Sequence, residues 1–194
     1  MTNAIATSTN GVSSPVQVNR IGRVDPDLGR TRPKEPKTIL LLHGPTSNLF
    51  GERNPAHYGT TTLAQIEERV TQFAHGVGLS VVCAQDNYEG AIVEHIHAAR
   101  TYGAIVMNPN AFVHYSYAIR DALESVKTPY IEIHLSNMYQ RGETEHHRKL
   151  NVTAAMAKGY ICGCGVQGYD LAVLRAKTLI DEAAVQQSQQ SLLK

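Results

Sequence analysis

Apolar residues fall along the chain in short unbroken runs, separated by longer stretches where they recur every three or four positions. Residues 37–43, 79–84, 103–108, 130–134 and 159–163 (KTILLLH, LSVVCA, GAIVMN, YIEIH and GYICG) are the unbroken runs. Each is short and bounded by Gly, Pro, Asn or other turn formers, the pattern of a strand buried on both faces. Between the first two runs, Leu63, Ile66, Val70 and Phe73 share one helical face behind Thr61 or Thr62, either of which can cap it. Ile92, Val93, Ile96 and Ala99 do the same over 88–101, and further helices are expected over 116–126 and 167–186, with a short one in 150–157. Strand alternating with helix predicts repeated βαβ units: an α/β fold with a five-stranded parallel sheet and helices on both faces. Such sheets bind ligands outside the carboxyl ends of their strands. Those ends carry His43-Gly44-Pro45, Asn108-Pro109-Asn110, His134-Leu135-Ser136 and Gly163-Cys164-Gly165, and a cleft among them is the expected active site.

Outside this pattern lie the two ends. Residues 1–36 are rich in Ser, Thr, Asn, Gly, Pro and Arg without sustained periodicity, which predicts a flexible N-terminal extension or an arm lying along a neighbouring subunit. Residues 37–186 form a single catalytic domain, and 187–194 a polar tail. Composition then narrows the function. Eighteen Lys and Arg against 17 Asp and Glu leave a formal net charge of +1, which argues against nucleic acid as a partner but leaves a small anion open. No apolar run approaches the roughly 20 residues that span a membrane. The first residues lack a basic stretch followed by an apolar core, so no secretory signal is expected. Three cysteines, 83, 162 and 164, are too few and too odd for a disulfide framework, and a cytoplasmic location is expected.

Gly163, Gly165 and Gly168 satisfy the dinucleotide fingerprint, yet the chain ends before a further strand could supply its ribose-binding acid. Close packing of the last helix accounts for these glycines. Neither a phosphate-binding P-loop motif nor H-E-x-x-H occurs, and no cofactor or metal is expected.

Two pairs of residues can move protons. Arg53 and Tyr58 share the loop after the first strand; a guanidinium folded back onto a phenol stabilises the phenolate and makes it a usable base. A surface arginine beside a packed tyrosine fits the same spacing. Glu132 and His134 stand two apart on the fourth strand and so face the same way. A carboxylate beside an imidazole orients it and favours its protonated form, which suits a general acid, or equally a structural pair at a strand end. Leu135 and Ser136 continue that edge, where backbone amides can hold a carboxylate, and Asn108 points to the same region. His114 and Asp121, seven apart and read as two turns of one helix, either grip adjacent hydroxyls or cap and bridge the helix.

The order of these residues resembles the type II 3-dehydroquinate dehydratases from about Ile39 to Leu174. The resemblance rests on four blocks in sequence: HGPTSNLFGERNPAHYGTTTLAQIEE, AQDNYEGAIVEHIHAAR, MNPNAFVHYSYAIRDAL, and IEIHLSN followed by CGCGVQGYDLA. It implies a flavodoxin-like sheet and cofactor-free loss of water from a small anionic cyclic substrate through an enolate. By the resemblance, Tyr58 removes the C2 proton with Arg53 stabilising it, and His134 with Glu132 protonates the leaving C1 hydroxyl. Asn108 and Ser136 match carboxylate-binding positions, and His114 matches the partner of the ring hydroxyls. Asp121 matches an acid supplied by a neighbouring subunit, in a family that assembles as trimers gathered into a dodecamer.

Three positions depart from the family pattern. Thr46 stands where an asparagine helps stabilise the enolate, Asn110 stands where a glycine opens the carboxylate pocket, and Glu145 stands where an arginine reaches the ring hydroxyls. Arg141 or Arg148 is close enough in sequence to compensate for the last. The expected function is therefore a 3-dehydroquinate dehydratase. The alternatives are a divergent lyase or isomerase acting on another cyclic hydroxy-acid or keto-polyol, and a binding protein with a retired site.

Overall fold

A computed structural model of the chain describes residues 17–20, 34–141 and 144–193. Strands β1 (Asn19–Arg20), β2 (Glu35–His43), β3 (Ser80–Gln85), β4 (Tyr102–Asn108), β5 (Tyr130–His134) and β6 (Gly159–Cys162) form one parallel sheet in the order β1-β3-β2-β4-β5-β6. The α-helical segments are α1 (Pro55–Tyr58), α2 (Leu63–Gly76), α3 (Glu89–Ala98), α4 (Tyr117–Ser125), α5 (Met138–Arg141) and α6 (Gln167–Leu192).

The sheet thus has six strands among the described residues, not the expected five. The additional strand comes from the segment read as a flexible extension: Asn19 and Arg20 pair with Val82 and Cys83 at the edge of β3. Two residues are too short to show a period in the sequence. Their anchorage is tertiary: Arg20 Nη2 donates to Glu67 Oε2 at 2.6 Å, and Val18 packs against the core. Residues 1–16 and 21–33 of the extension lie outside the described residues.

The run ILLL of β2 is continuous because both sheet faces are covered. Ile39 and Leu41 join Ile66 and Val70 of α2 and Tyr169 and Val173 of α6 in one core. Leu40 and Leu42 join Ile92 and Ile96 of α3 and Ile119 and Leu123 of α4 in the other. Thr62 starts α2 with a full capping box, its hydroxyl accepting from the Gln65 N–H while the Gln65 side chain accepts from the Thr62 N–H. The expected short helix at 150–157 is a single 3₁₀ turn, Ala154–Met156, and α6 continues past residue 186 to Leu192. Gly163 and Gly165 take positive φ (85° and 55°), while a Cβ on Gly168 would stand 2.7 Å from Ile133 Cδ1, so helix–sheet packing occupies the glycine motif.

The chain leaves β2 for β3 on one side, then returns past β2 to form β4 on the other. The winding reverses between β2 and β4, and the crevice opens at their carboxyl ends, where His43 and Asn108 are register partners. Among the described residues no helix is long and apolar enough to cross a membrane.

Candidate active site

The crevice is a cavity of about 430 Å³ whose walls include Thr46, Arg53, Tyr58, Asn108, Asn110, His114, His134, Leu135, Ser136 and Arg148. One wall is the loop after β2. It leaves the sheet beside β4, with the Gly44 N–H donating to Asn108 O at 2.8 Å. A Cβ on Gly44 would lie 2.3 Å from Pro109 O, so only glycine allows the approach. Thr46 then takes a left-handed conformation (φ 64°), a 3₁₀ turn follows at Ser47–Leu49, and buried Phe50 anchors the loop in the core. Pro55 at the first position of α1 sets a single helical turn that ends in Tyr58.

On this loop Arg53 folds back onto Tyr58. Its guanidinium carbon lies 4.4 Å from the ring centroid, and Nη2 donates to the phenol oxygen at 3.2 Å. Nη1 of the same arginine donates to Thr46 Oγ1. One guanidinium is thus set against both the ring face and the hydroxyl of the same tyrosine.

The facing wall is the end of β5. His134 Nε2 is bonded to Glu132 Oε1 at 2.7 Å. Glu132 is fully buried and collects three further donors: Tyr130 Oη at 2.6 Å and Thr153 Oγ1 at 2.7 Å on Oε2, and Asn151 Nδ2 on Oε1. Burial pushes the Glu132 carboxyl up, but the bonds from His134, Tyr130 and Asn151 outweigh it and hold it below its usual value. It stays an anion, set directly against the His134 ring. Nothing in the local sequence announces Asn151 or Thr153, which approach through the segment after α5.

Beneath the cavity runs a buried polar chain. Asn108 Nδ2 donates to Tyr169 Oη at 3.3 Å, and that phenol is bonded to His43 Nε2 at 3.1 Å. Burial lowers the His43 pKa to about 3, so its ring stays neutral and can accept the phenol proton. Asn108 Oδ1 accepts from the Asn110 N–H at 3.3 Å, and the two bonds together fix which way the Asn108 amide faces. His43 stands at one of the strand ends that the sequence assigns to the cleft, whereas nothing in the sequence singles out Tyr169.

The remaining sequence candidates fall in three places. His114 lines the cavity with Nδ1 bonded to Leu150 O at 2.8 Å; burial is the main cause of its lowered pKa, and the neutral ring keeps Nε2 as an acceptor. It ends a 3₁₀ turn, Asn110–His114, rather than sharing a helix with Asp121, which lies exposed on α4 and does not line this cavity. Glu145 lines a neighbouring depression with His57 and Ser136, and its carboxylate is turned to Arg148, which bonds it through Nε at 2.8 Å and Nη2 at 2.7 Å. Arg148, one of the two arginines that the sequence offers to compensate for Glu145, thus brings a guanidinium to the cavity. The side chain of Arg141, the other candidate for that role, lies outside the described residues. Among the described residues no group of three or more His, Cys, Asp or Glu could hold a metal ion.

A parallel sheet that brings an arginine–tyrosine pair and a histidine backed by a buried glutamate to one cavity defines an α/β enzyme equipped for proton transfer. Residues 37–177 match the family model described as dehydroquinase class II, and the chain belongs to that family. It is 47% identical over 146 residues to the 3-dehydroquinate dehydratase of Syntrophotalea carbinolica, covering 74% of this chain and 97% of that protein. The enzyme of the same name from Pelobacter propionicus is 48% identical over 147 residues, covering 75% and 97%. The crystal structure of the type II dehydroquinase from Propionibacterium acnes superposes with a TM-score of 0.68 at 37% identity, covering 75% of this chain and 99% of that one.

Proposed function

We infer that the chain is a hydro-lyase that removes water from 3-dehydroquinate without a cofactor. The observation that carries this reading is the placing of Tyr58 with Arg53 and of His134, backed by Glu132, on walls of one cavity. Loss of a proton alpha to a ketone and of a hydroxyl beta to it needs a base, a home for the enolate charge and an acid. Tyr58, as phenolate, takes the C2 proton; the electron pair moves onto the carbonyl oxygen as the enolate. His134, held as an acid by Glu132, then gives its proton to the C1 hydroxyl, which departs as water as the enolate collapses to the enone. Asn108, Ser136 and the amides at Leu135 and Ser136 hold the carboxylate, while His114 and Arg148 read the ring hydroxyls. Thr46 spends an acceptor site on Arg53, and its hydroxyl can still donate to the enolate.

The order 2-1-3-4-5 of the five longer strands supports a flavodoxin-like reading of the sheet. We further propose trimers gathered into a dodecamer, with Asp121 completing the site of a neighbouring copy, and a cytoplasmic location consistent with the odd, unpatterned cysteines.

The test is an ultraviolet assay of enone formation from 3-dehydroquinate by the purified protein, with Tyr58→Phe beside it. Turnover that falls by roughly 10²–10⁴ in Tyr58→Phe is expected. A rate at background, unchanged by the substitution, overturns the reading.

A further inference from the structure

We propose that Asn110 is a positioning residue of the reaction: by gripping the loop on either side of Thr46 it holds Arg53 against Tyr58. The proposal rests on the reading of Tyr58 and Arg53 given above. Asn110 sits at the start of the turn after β4, with a left-handed backbone (φ 51°) that aims its side chain across the crevice. Its amide donates to Pro45 O at 2.9 Å and to Ser47 Oγ at 2.6 Å, which uses both hydrogens of the NH₂ group. Ser47 is fully buried, so this second bond has no competition from solvent.

These two bonds bracket Thr46. The peptide plane before it is held at both ends, its carbonyl by Asn110 and its N–H by Asn87 Oδ1 at 2.8 Å. A non-glycine residue in the left-handed region is disfavoured, and it persists where its surroundings leave it no alternative. Pinned there, Thr46 presents its hydroxyl to Arg53 Nη1, while Nη2 of the same guanidinium reaches Tyr58. The mechanical order is Asn110, the Pro45–Thr46 peptide, the Thr46 hydroxyl, Arg53, Tyr58. Asn110 also ties this loop to Asn108, whose Oδ1 takes its backbone N–H. The base and the carboxylate-binding amide are thereby set relative to one another by one residue. Asn110 adds its bulk to the cavity wall, as the sequence implies, and its amide is turned toward the loop.

Asn110→Gly is the direct test, because glycine accepts the same φ and loses only the side-chain bonds. Ser47→Ala, which removes one of the two acceptors in a small buried site, is the second variant. Expected for Asn110→Gly is a fall of roughly 10- to 100-fold in kcat, the scale of a misplaced reacting group, with KM little changed. Backbone hydrogen exchange should quicken in the peptide that spans residues 45–53, and Ser47→Ala should fall between wild type and Asn110→Gly on both readouts. Unchanged kcat with a lower KM would mean that Asn110 only fills the pocket and would overturn the proposal. A loss of stability with kcat unchanged at saturating substrate would reduce it to a structural residue and overturn it equally. The exchange measurement needs no turnover. A wild type that makes no enone refutes the proposed function, while unchanged exchange in Asn110→Gly refutes the clamp.

Discussion

Glu132 shows how much of the site is decided by individual hydrogen bonds. A fully buried carboxylate is costly unless its lone pairs are met, and here both oxygens are: Oε1 by His134 and Asn151, Oε2 by Tyr130 and Thr153. Thr153→Val is nearly isosteric and withdraws one donor from this anion. It should cost about 1.5–3 kcal/mol in urea denaturation, the range for a bond to a charged group, while Thr153→Ser should recover most of the loss. If valine and serine both match wild type, the hydroxyl is not holding the carboxylate. The same residue shows which parts of the site the sequence reveals. Glu132 with His134, and Arg53 with Tyr58, are legible because each pair is local and strand alternation or loop reach brings its members together. Asn151 and Thr153 reach Glu132 from a segment of irregular turns, and Tyr169 reaches Asn108 from a helix 61 residues further along the chain, so no spacing rule points to them. Asn110 and Thr46 are visible as departures from the family pattern, but only their left-handed backbones and the bonds from Asn110 to the residues on either side of Thr46 show why they go together.

Among the elements, the long strands were the easiest to foresee. A run such as ILLL, buried on both faces, has no solvent side to interrupt it with polar residues. β1 is the opposite case, since its stability comes from a partner and not from its own pattern. Glu67 is 2% exposed and Arg20 donates to its Oε2, while Glu67 Oε1 has no partner among the described residues. Burial pushes the Glu67 carboxyl up and Arg20 opposes that shift. Truncating Arg20 leaves a buried carboxylate without its cation. Arg20→Ala should therefore lower stability by about 1–3 kcal/mol in chemical denaturation, the cost of an unsatisfied buried group. A change within about 0.5 kcal/mol, as for an ordinary surface substitution, would mean that β1 does not hold the edge of the sheet. The far end of α6 is illegible in the sequence for a related reason: its last turns are exposed, so the helix continues without an apolar face to announce it.

At the scale of the whole molecule, the parallel sheet explains why a chain of net charge +1 can bind an anion. The reversal of winding between β2 and β4 opens a crevice at the strand ends, where backbone amides, Asn108 and the guanidinium groups of Arg53 and Arg148 converge. Local hydrogen-bond donors can serve an anion even where overall composition shows no excess of positive charge. The same topology sets Tyr58 after β2 and His134 at the end of β5, so that in the proposed mechanism proton removal and water loss fall to separate groups. That separation can be measured by following two events in one sample: uptake of solvent deuterium at C2 of 3-dehydroquinate and release of the enone. In His134→Ala, exchange at C2 should survive better than water loss, while Tyr58→Phe should lose both. Equal loss of exchange and water release in His134→Ala would contradict the assignment of base and acid.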